Sequence, residues 1–348
     1  MITLRQLQPD EWMIYKATRL AALHADQSMF GGTYEQELLK PDAAWQATVS
    51  NPKEALFVLF DGDKPIGMTG ASYDKEDPLQ KTVLIWGWWV HPDYRGQGLA
   101  DRLCKVCVEW AEARPEVDRI IVGHRESNEA SRNVIRKNGF VYAYASMRTW
   151  PDGVTENNPR HIRFIHNAFG EFPIETERLL LRPVLASDAH MLREAKRETW
   201  AQLQQWMAWT KDDGPDEEAD HLMLLEQEAK FRAGTECMLI GFEKGTYHPV
   251  IFTGFHQPDW DNRTFEIGYW VRAPAQNKGY AQEVTHALSD HAFRALNAHA
   301  VKIASAIENA ASMAVITKCD FTYTHTQDAS EDDMGQETHW FEKRRAAP

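Results

Sequence analysis

The stretch Thr82–Ala100, TVLIWGWWVHPDYRGQGLA, joins an apolar run to a loop that contains two glycines. A second stretch, Thr264–Ala281, TFEIGYWVRAPAQNKGYA, has the same layout. The apolar residues predict a buried strand in each, and helical periodicity over Leu99–Glu112 and Tyr280–Leu296 predicts a helix after each loop. This arrangement suits a diphosphate, because the first amides of a helix lack partners within it and the helix dipole attracts an anion.

The two stretches belong to a longer internal repeat. Gly98 recurs as Gly279, 181 positions later, and the same offset holds without a gap from Gly87 to Phe140. Shared amphipathic periodicity would repeat only apolar positions, yet turn glycines and polar residues also recur. Examples are the pairs Asn128 and Asn309, Ser131 and Ser312, and Lys137 and Lys318. Two copies of one domain are therefore expected.

Length and element order indicate where the domains lie. At 348 residues the chain is longer than one hydrophobic core usually spans. We predict an N-terminal domain over residues 1–168, a connector over 169–175 that contains Gly170 and Pro173, and a C-terminal domain over 176–348. Strands mixed with helices predict, in each domain, an α/β or α+β sheet with helices packed against it.

The start of the C-terminal domain carries two local signals. Residues 177–183, ERLLLRP, predict a short strand that ends at proline. Ser187 and Asp188 are residue types that cap helices, and they predict a helix start before Ala189–Ala195.

Charge and composition restrict the partners. The net charge of −13 argues against general nucleic-acid binding, which needs basic patches. It is compatible with attraction of a cationic substrate, and also with a role in solubility alone. No apolar run approaches the ~20 residues of a membrane helix, and the N-terminus lacks the layout of a signal peptide. We therefore expect a cytoplasmic protein without a membrane partner. His24, His91 and His124 lack the spacing of metal ligands, so no metal site is predicted.

The loop motifs narrow the choice of phosphate ligand. The dinucleotide pattern GxGxxG and the triphosphatase pattern GxxxxGK[ST] are both absent. Arg95-x-x-Gly98-x-Ala100 resembles the acetyl-CoA pyrophosphate loop of the GNAT (GCN5-related N-acetyltransferase) superfamily. The second loop, residues 276–281, fits the same pattern with Gln at its first position.

Segments outside the loops extend this resemblance. Residues 128–131 and 309–312 resemble the GNAT segment that lines the pantetheine and thiol end of the cofactor. Residues 178–183 and 267–270 resemble the ribosomal-protein N-terminal acetyltransferase branch. The resemblance implies two tandem GNAT folds, each with a mixed, mostly antiparallel sheet flanked by helices, and acetyl-CoA as cofactor.

The resemblance also implies a set of cofactor-binding residues in each copy. In the first copy these are Trp89, Val90, Arg95, Gly96, Gln97, Gly98, Leu99, Ala100, Asn128 and Ser131. In the second copy they are Trp270, Val271, Gln276, Asn277, Lys278, Gly279, Tyr280, Ala281 and Asn309. Arg95 and Lys278 are expected to add positive charge beside the phosphates.

The catalytic assignment differs between the copies. Many GNAT enzymes carry a general-acid Tyr where this chain has Ile135 and Ile316, so that acid is missing twice. A Glu on the fourth strand is a frequent base, and Glu266 occupies that place in the second copy. The first copy has an apolar isoleucine there, which leaves His124 or Glu126 as candidates acting through water.

These assignments lead to a functional prediction. We expect acetyl transfer from acetyl-CoA to a primary amine of a small molecule or a peptide N-terminus. The second copy is favoured as the catalyst, with Glu266 as base, backbone N–H groups near Trp270 and Val271 holding the thioester oxygen, and Ser312 serving the leaving thiolate. The alternative is an acyl-CoA-binding regulatory or structural module in which one or both copies are silent. The identity of the amine and the oligomeric state stay open.

Overall fold

Two sheets form, one in each of two units of the chain, Met1–His166 and the part from Asn167 onward. The computed structural model describes residues 1–210, 214–331 and 335–345. Among them no helix has the length and apolar character needed to cross a membrane.

The N-terminal unit contains seven strands and five α-helices within its described residues. The strands are β1 Ile2–Gln6, β2 Glu54–Asp61, β3 Lys64–Tyr73, β4 Thr82–Val90, β5 Arg119–Gly123, β6 Val141–Thr149 and β7 Thr155–Phe164. The helices are α1 Trp12–Asp26, α2 Tyr34–Leu38, α3 Asp42–Ser50, α4 Leu99–Glu112 and α5 Glu129–Lys137.

The C-terminal unit repeats this order. Its strands are β8 Ile174–Glu175, β9 Leu179–Pro183, β10 Cys237–Glu243, β11 Pro249–Asp259, β12 Thr264–Val271, β13 Ala300–Ala306, β14 Thr322–Gln327 and β15 Thr338–Arg344. Its helices are α6 Ala189–Trp206, α7 Glu217–Ala233, α8 Tyr280–Ala295 and α9 Ala310–Lys318.

The two sheets share one topology. The strand order is β1-β2-β3-β4-β5-β7-β6 in the first and β14-β15-β13-β12-β11-β10-β9-β8 in the second. Within the described residues, neighbouring strands pair antiparallel except β4 with β5 and β12 with β13, which pair parallel. The prediction of two mixed, mostly antiparallel sheets flanked by helices is confirmed.

Helices bury both faces of the first sheet. On one face, Cys104 and Cys107 of α4 pack against Val83 and Ile120 of β4 and β5. On the other face, α1 and α3 place Leu23 and Trp45 against β2 and β3, among other contacts. In the second unit, α6 and α7 pack against β10 and β11 in the same way. An apolar stripe along each helix accounts for this layering.

The predicted start of the C-terminal domain's first helix is correct in position, but the Asp188 side chain has a different role from the expected one. The helix begins at Ala189 as expected but continues to Trp206, and the Asp188 side chain makes no capping hydrogen bond. Its carboxylate instead accepts two hydrogen bonds from Arg182, of 2.7 and 2.8 Å, and one of 2.8 Å from the Leu185 amide. Both charged side chains are 1% exposed, so this buried ion pair links β9 to the start of α6.

Because removing one partner leaves an uncompensated buried charge, we expect Asp188→Ala to destabilise the C-terminal unit by about 3–5 kcal/mol. Asp290→Ala, which breaks the exposed pair with Arg294, is the matched control and should change stability by less than about 0.5 kcal/mol. Urea titration followed by circular dichroism measures both. Equal effects of the two substitutions would contradict this assignment.

Candidate functional site

In each unit the sheet opens between its two parallel strands. β4 pairs with β5 only from Thr82 to Ile85, although β4 continues to Val90. β12 likewise pairs with β13 only from Thr264 to Glu266 and continues to Val271. The final residues of β4 and β12 therefore have backbone groups that face a split in the sheet instead of a neighbouring strand.

The alternation of the antiparallel ladder decides which amides face the split. Arg272 donates its N–H to the Val250 carbonyl of β11. Trp270, two residues before Arg272, lies opposite Phe252 of β11 in the same antiparallel register. Alternate residues point toward the partner strand, so the Trp270 N–H is used within the ladder and the Val271 N–H faces the split. Val271, and not Trp270, is the backbone donor available to a ligand.

The loop after each split strand ends in the left-handed conformation. Gly98 has φ +73° and Gly279 has φ +82°, and each immediately precedes a helix as its N-cap residue. Two residues earlier, Gly96 and Asn277 also have positive φ, at +77° and +61°. This backbone turns the first amides of α4 and α8 outward, where no helical carbonyl reaches them.

The first residue of each motif stabilises the loop. The Arg95 Nε donates to the Val90 carbonyl at 3.0 Å, and the Gln276 Nε2 donates to the Val271 carbonyl at 3.1 Å. Arg95 also forms an ion pair with Asp26, which balances its charge. Holding the loop is therefore a role of Arg95 in addition to the positive charge expected of it.

Side chains at several predicted cofactor positions are turned into the protein. Leu99 and Tyr280 are each 4% exposed, so these residues offer their amides and not their side chains. Trp89 is also buried and donates from its indole to Asp26 at 2.8 Å, while Trp270 stacks on Phe252. Residues 97 and 278 are exposed, as the loop position requires for contact with a solvent-borne ligand.

The downstream asparagines cap helices. The Asn128 Oδ1 accepts from the Ser131 amide at 3.0 Å at the start of α5, and the Asn309 Oδ1 accepts from the Ser312 amide at 3.1 Å at the start of α9. The same side-chain bond at the same offset accounts for the recurrence of Asn, while each Ser contributes its backbone amide. The caps fix where α5 and α9 begin beside the split.

A cleft of about 1260 Å³ occupies the open edge of the sheet in the C-terminal unit. Of the eleven residues predicted for this copy, ten line it, and Lys278 does not. The cleft extends past Glu266 toward α6 and α7, where Trp200, Trp206 and Trp209 form part of its wall. One cavity thus joins the helix amides to a chamber with aromatic walls.

Glu266 lies at the last position where β12 and β13 pair, opposite Lys302. On its other side it is registered with His256 of β11. Burial raises the pKa of the Glu266 carboxyl, and the nearby His256 and Lys302 partly offset this rise. A carboxylate whose pKa is raised toward neutrality is suited to accept a proton.

Tyr269 is a functional candidate that sequence reasoning missed. Its hydroxyl lies 3.2 Å from the Ser312 Oγ across the cleft, and burial raises its pKa to about 12. Tyr269 therefore stays protonated at neutral pH and can donate a hydrogen bond or a proton. Tyr269 belongs to the segment 267–270, which carries the family resemblance, and this was a signal that it could have a function. Its pairing with Ser312 of α9 could be seen only in the folded structure.

The N-terminal unit lacks these groups at the matching positions. Ile85 stands in place of Glu266 and Trp88 in place of Tyr269, and the residue of β3 registered with Ile85 is Ala71. The side chains of Ile85, Trp88 and Ala71 cannot exchange protons at neutral pH.

The two alternative candidates in the N-terminal unit are engaged elsewhere. His124 is 5% exposed, its ring stacks on His161, and burial lowers its pKa, so it is a neutral, enclosed imidazole. Glu126 accepts a hydrogen bond of 3.0 Å from Asn157.

Together these features define a two-unit α/β protein with unpartnered helix amides beside a split sheet in each unit. Family models identify it further. A model described as "Acetyltransferase (GNAT) family" matches residues 19–140, and one described as "Acetyltransferase (GNAT) domain" matches residues 178–322. The matches together cover more than half of the chain, and the chain belongs to the GNAT acetyltransferases.

Individual relatives match the chain over shorter stretches. It is 29% identical over 86 residues to the ribosomal-protein-serine acetyltransferase of Escherichia coli (strain K12), which covers 25% of this chain and 46% of that protein. It is 28% identical over 148 residues to YdaF of Bacillus subtilis (strain 168), which is named as a candidate ribosomal N-acetyltransferase. This alignment covers 40% of this chain and 78% of YdaF. The aligned part thus spans about half of the first relative's length.

A solved structure of RimL, a ribosomal L7/L12 alpha-N-protein acetyltransferase in complex with coenzyme A, is also similar. It shares 21% identity with a TM-score of 0.46, over 50% of this chain and 97% of that one.

The half-buried Glu266 leads to a prediction about stability. Its raised pKa means that the folded protein binds the carboxyl proton more tightly than the unfolded chain does, so this contribution to stability is present at low pH and is lost as pH rises through the folded pKa. Glu266→Gln is neutral at every pH. We expect it to melt at a higher temperature than the wild type at pH 7.5 by scanning calorimetry, with the difference shrinking toward pH 4. A lower melting temperature at pH 7.5 would contradict this.

Proposed function

We propose that the protein is an acetyl-CoA-dependent N-acetyltransferase whose C-terminal unit performs the chemistry. The observation that carries the proposal is the position of Glu266, a carboxylate with a raised pKa, in the same cleft as the free amides at the start of α8. We further propose residues 1–168 and 176–348 as the two functional domains.

The residues present fit a coenzyme A group. GNAT acetyltransferases use acetyl-CoA, whose thioester supplies an activated acetyl group. In the N-terminal unit, a β-carbon at Gly96 or Gly98 would meet no atom within 4 Å, so the loop faces open space. The amides that follow Gly98 and Gly279 would hold the diphosphate, assisted by Gln97 and Lys278. Residues 128 and 131 lie at the start of α5 and residue 309 at the start of α9, where we expect the pantetheine arm of the coenzyme.

The mechanism follows from the placement of groups around the C-terminal cleft. Glu266 takes a proton from the acceptor ammonium, because only the neutral amine has a lone pair to attack with. The Val271 amide donates a hydrogen bond to the oxygen that gains charge during the attack. The hydroxyls of Tyr269 and Ser312 serve the leaving thiolate. Holding both reactants in one cleft supplies much of the rate through proximity.

The acceptor is a primary amine, either of a small molecule or at a peptide N-terminus. Carboxylates at Asp216 and Glu266 line the cleft and suit a cationic group, and the tryptophans of α6 and of the segment after it suit its apolar neighbour. One named relative is a ribosomal-protein-serine acetyltransferase and the other is named as a candidate ribosomal N-acetyltransferase, and this favours a peptide N-terminus.

The alternative function, a coenzyme-responsive module without catalysis, fits the N-terminal unit alone. Its loop matches that of the C-terminal unit, while Ile85 and Trp88 replace the groups that exchange protons. We propose that this unit binds the coenzyme and does not transfer acetyl.

A substitution in the loop separates ligand contact from backbone strain. Gly279→Ala places a β-carbon at the start of α8 in a left-handed conformation. Gly245→Ala meets the same strain, about 1–2 kcal/mol, in an open turn that does not line the cleft. We expect acetyl-CoA affinity, measured by equilibrium titration, to fall roughly tenfold in the first variant and to stay unchanged in the second. Equal affinities in both variants would remove the loop from the binding site.

A second prediction concerns the base. Glu266→Gln should lower kcat about 100-fold or more, with acetyl-CoA affinity unchanged, because the proton acceptor is lost. Free thiol release from acetyl-CoA is the measurement, with peptides that begin in Ser or Ala and with spermidine as acceptors. Since the pKa of Glu266 is raised, kcat/KM of the wild type should fall with decreasing pH at a midpoint above 4.5. The exposed Glu218→Gln is the control, and wild-type turnover in Glu266→Gln would exclude the base role.

A further inference from the structure

Beside Glu266 lies a histidine that an acidic partner holds in place. The His256 Nδ1 is 2.9 Å from the Glu236 Oε1, at the start of β10. The second oxygen of Glu236 is held by Lys230 at 3.1 Å and by the Gln227 amide at 3.3 Å. With both oxygens occupied, the carboxylate cannot turn, and it fixes the ring of His256.

The other ring nitrogen is directed along β12. Glu266, Gly268 and Trp270 share one face of this strand, since side chains alternate. Gly268 has no side chain, and the His256 Nε2 lies 3.5 Å from the point where a β-carbon on Gly268 would be. The imidazole edge thus occupies the space that Gly268 leaves empty, next to Glu266. His256, Glu266 and Gly268 all line the cleft.

The charges around His256 come from four elements. Glu236 precedes β10, Lys230 belongs to α7, Glu266 lies on β12 and Lys302 lies on β13. The hydrogen bond to His256 is the main cause that lowers the pKa of Glu236 to about 2, so Glu236 stays ionised. An ionised partner at Nδ1 favours the tautomer with its proton on Nδ1 and a free lone pair on Nε2.

We propose that His256, oriented by Glu236, is the relay that takes the acceptor's proton from Glu266 and passes it to solvent. This inference rests on the proposed acetyl transfer and adds a residue that acts through Glu266. No atom of His256 is required to touch either substrate.

The protons balance in three steps. Glu266 removes one proton from the ammonium, and its O–H passes that proton through water in the cleft to the His256 Nε2, which releases it to solvent. The freed amine lone pair forms the C–N bond, and the thioester C–S bond breaks with its electron pair on sulfur. The thiolate takes a proton from the Tyr269–Ser312 hydroxyls, and the second proton of the amine nitrogen replaces it. The sum is amide, thiol and one proton in solution.

The N-terminal unit lacks counterparts of both His256 and Glu266. Where His256 faces Glu266 across β11 and β12, Ala71 faces Ile85 across β3 and β4. Base and relay are thus both absent from the unit proposed to be silent, as expected if they act together.

The test measures proton transfer separately from folding. We expect His256→Gln and Glu236→Gln to lower kcat about 10- to 100-fold while coenzyme A affinity changes less than about twofold. The pH dependence of kcat should lose a limb that the wild type shows. In His256→Ala, added imidazole should restore turnover, since it replaces the missing base. The exposed His299→Gln should match the wild type throughout and serves as the control.

The outcomes separate the two proposals. Acetyl transfer by the wild type, together with an unchanged pH profile in His256→Gln and no imidazole rescue in His256→Ala, would overturn the relay and leave the proposed function standing. A wild type that binds coenzyme A but transfers no acetyl to the peptides or to spermidine would overturn both. A His256→Gln variant with reduced kcat, unaltered pH profile and weakened coenzyme binding assigns His256 a structural role and also overturns the relay.

Discussion

The pairing of β12 with β13 stops at Glu266, and the rest of the C-terminal site depends on this limit. Beyond it the strands have no shared ladder, so the Val271 amide faces open space and a cleft forms where two strands would otherwise touch. The same chain then turns through the left-handed Gly279 into α8, which brings the unpartnered helix amides to the edge of that cleft. A backbone constraint thus creates both the unpartnered amides and the cleft beside them.

The N-terminal unit shows which parts of this arrangement are independent of catalysis. It keeps the split strand, the left-handed Gly98 and the capping Asn128, all of which are backbone features. It differs at the side chains that would move protons, with Ile85 in place of Glu266 and Trp88 in place of Tyr269. The backbone geometry and the proton-exchanging side chains are therefore separable in this fold.

Local signals made the fold and the loops predictable from sequence. Apolar runs and a glycine before a helix act over a few residues, and the repeat at one offset reinforced each of them. Contacts between distant segments were not predictable in this way. The bond of His256 to Glu236 depends on how β10 and β11 align, and the approach of Tyr269 to Ser312 depends on where α9 packs. Asp188 was expected to cap a helix, but its pairing with Arg182 on the preceding strand prevailed, because a buried guanidinium requires a counter-charge.

The central claim is that each unit holds a diphosphate on the bare amides at the start of a helix. Isothermal calorimetry of the full chain with coenzyme A tests it most directly, since the heat reports association and the stoichiometry counts the sites. The account predicts saturable binding at two sites in every chain, weakened by salt as expected for an ionic ligand. Absence of any heat of binding, for coenzyme A and for its acetyl thioester alike, would contradict it.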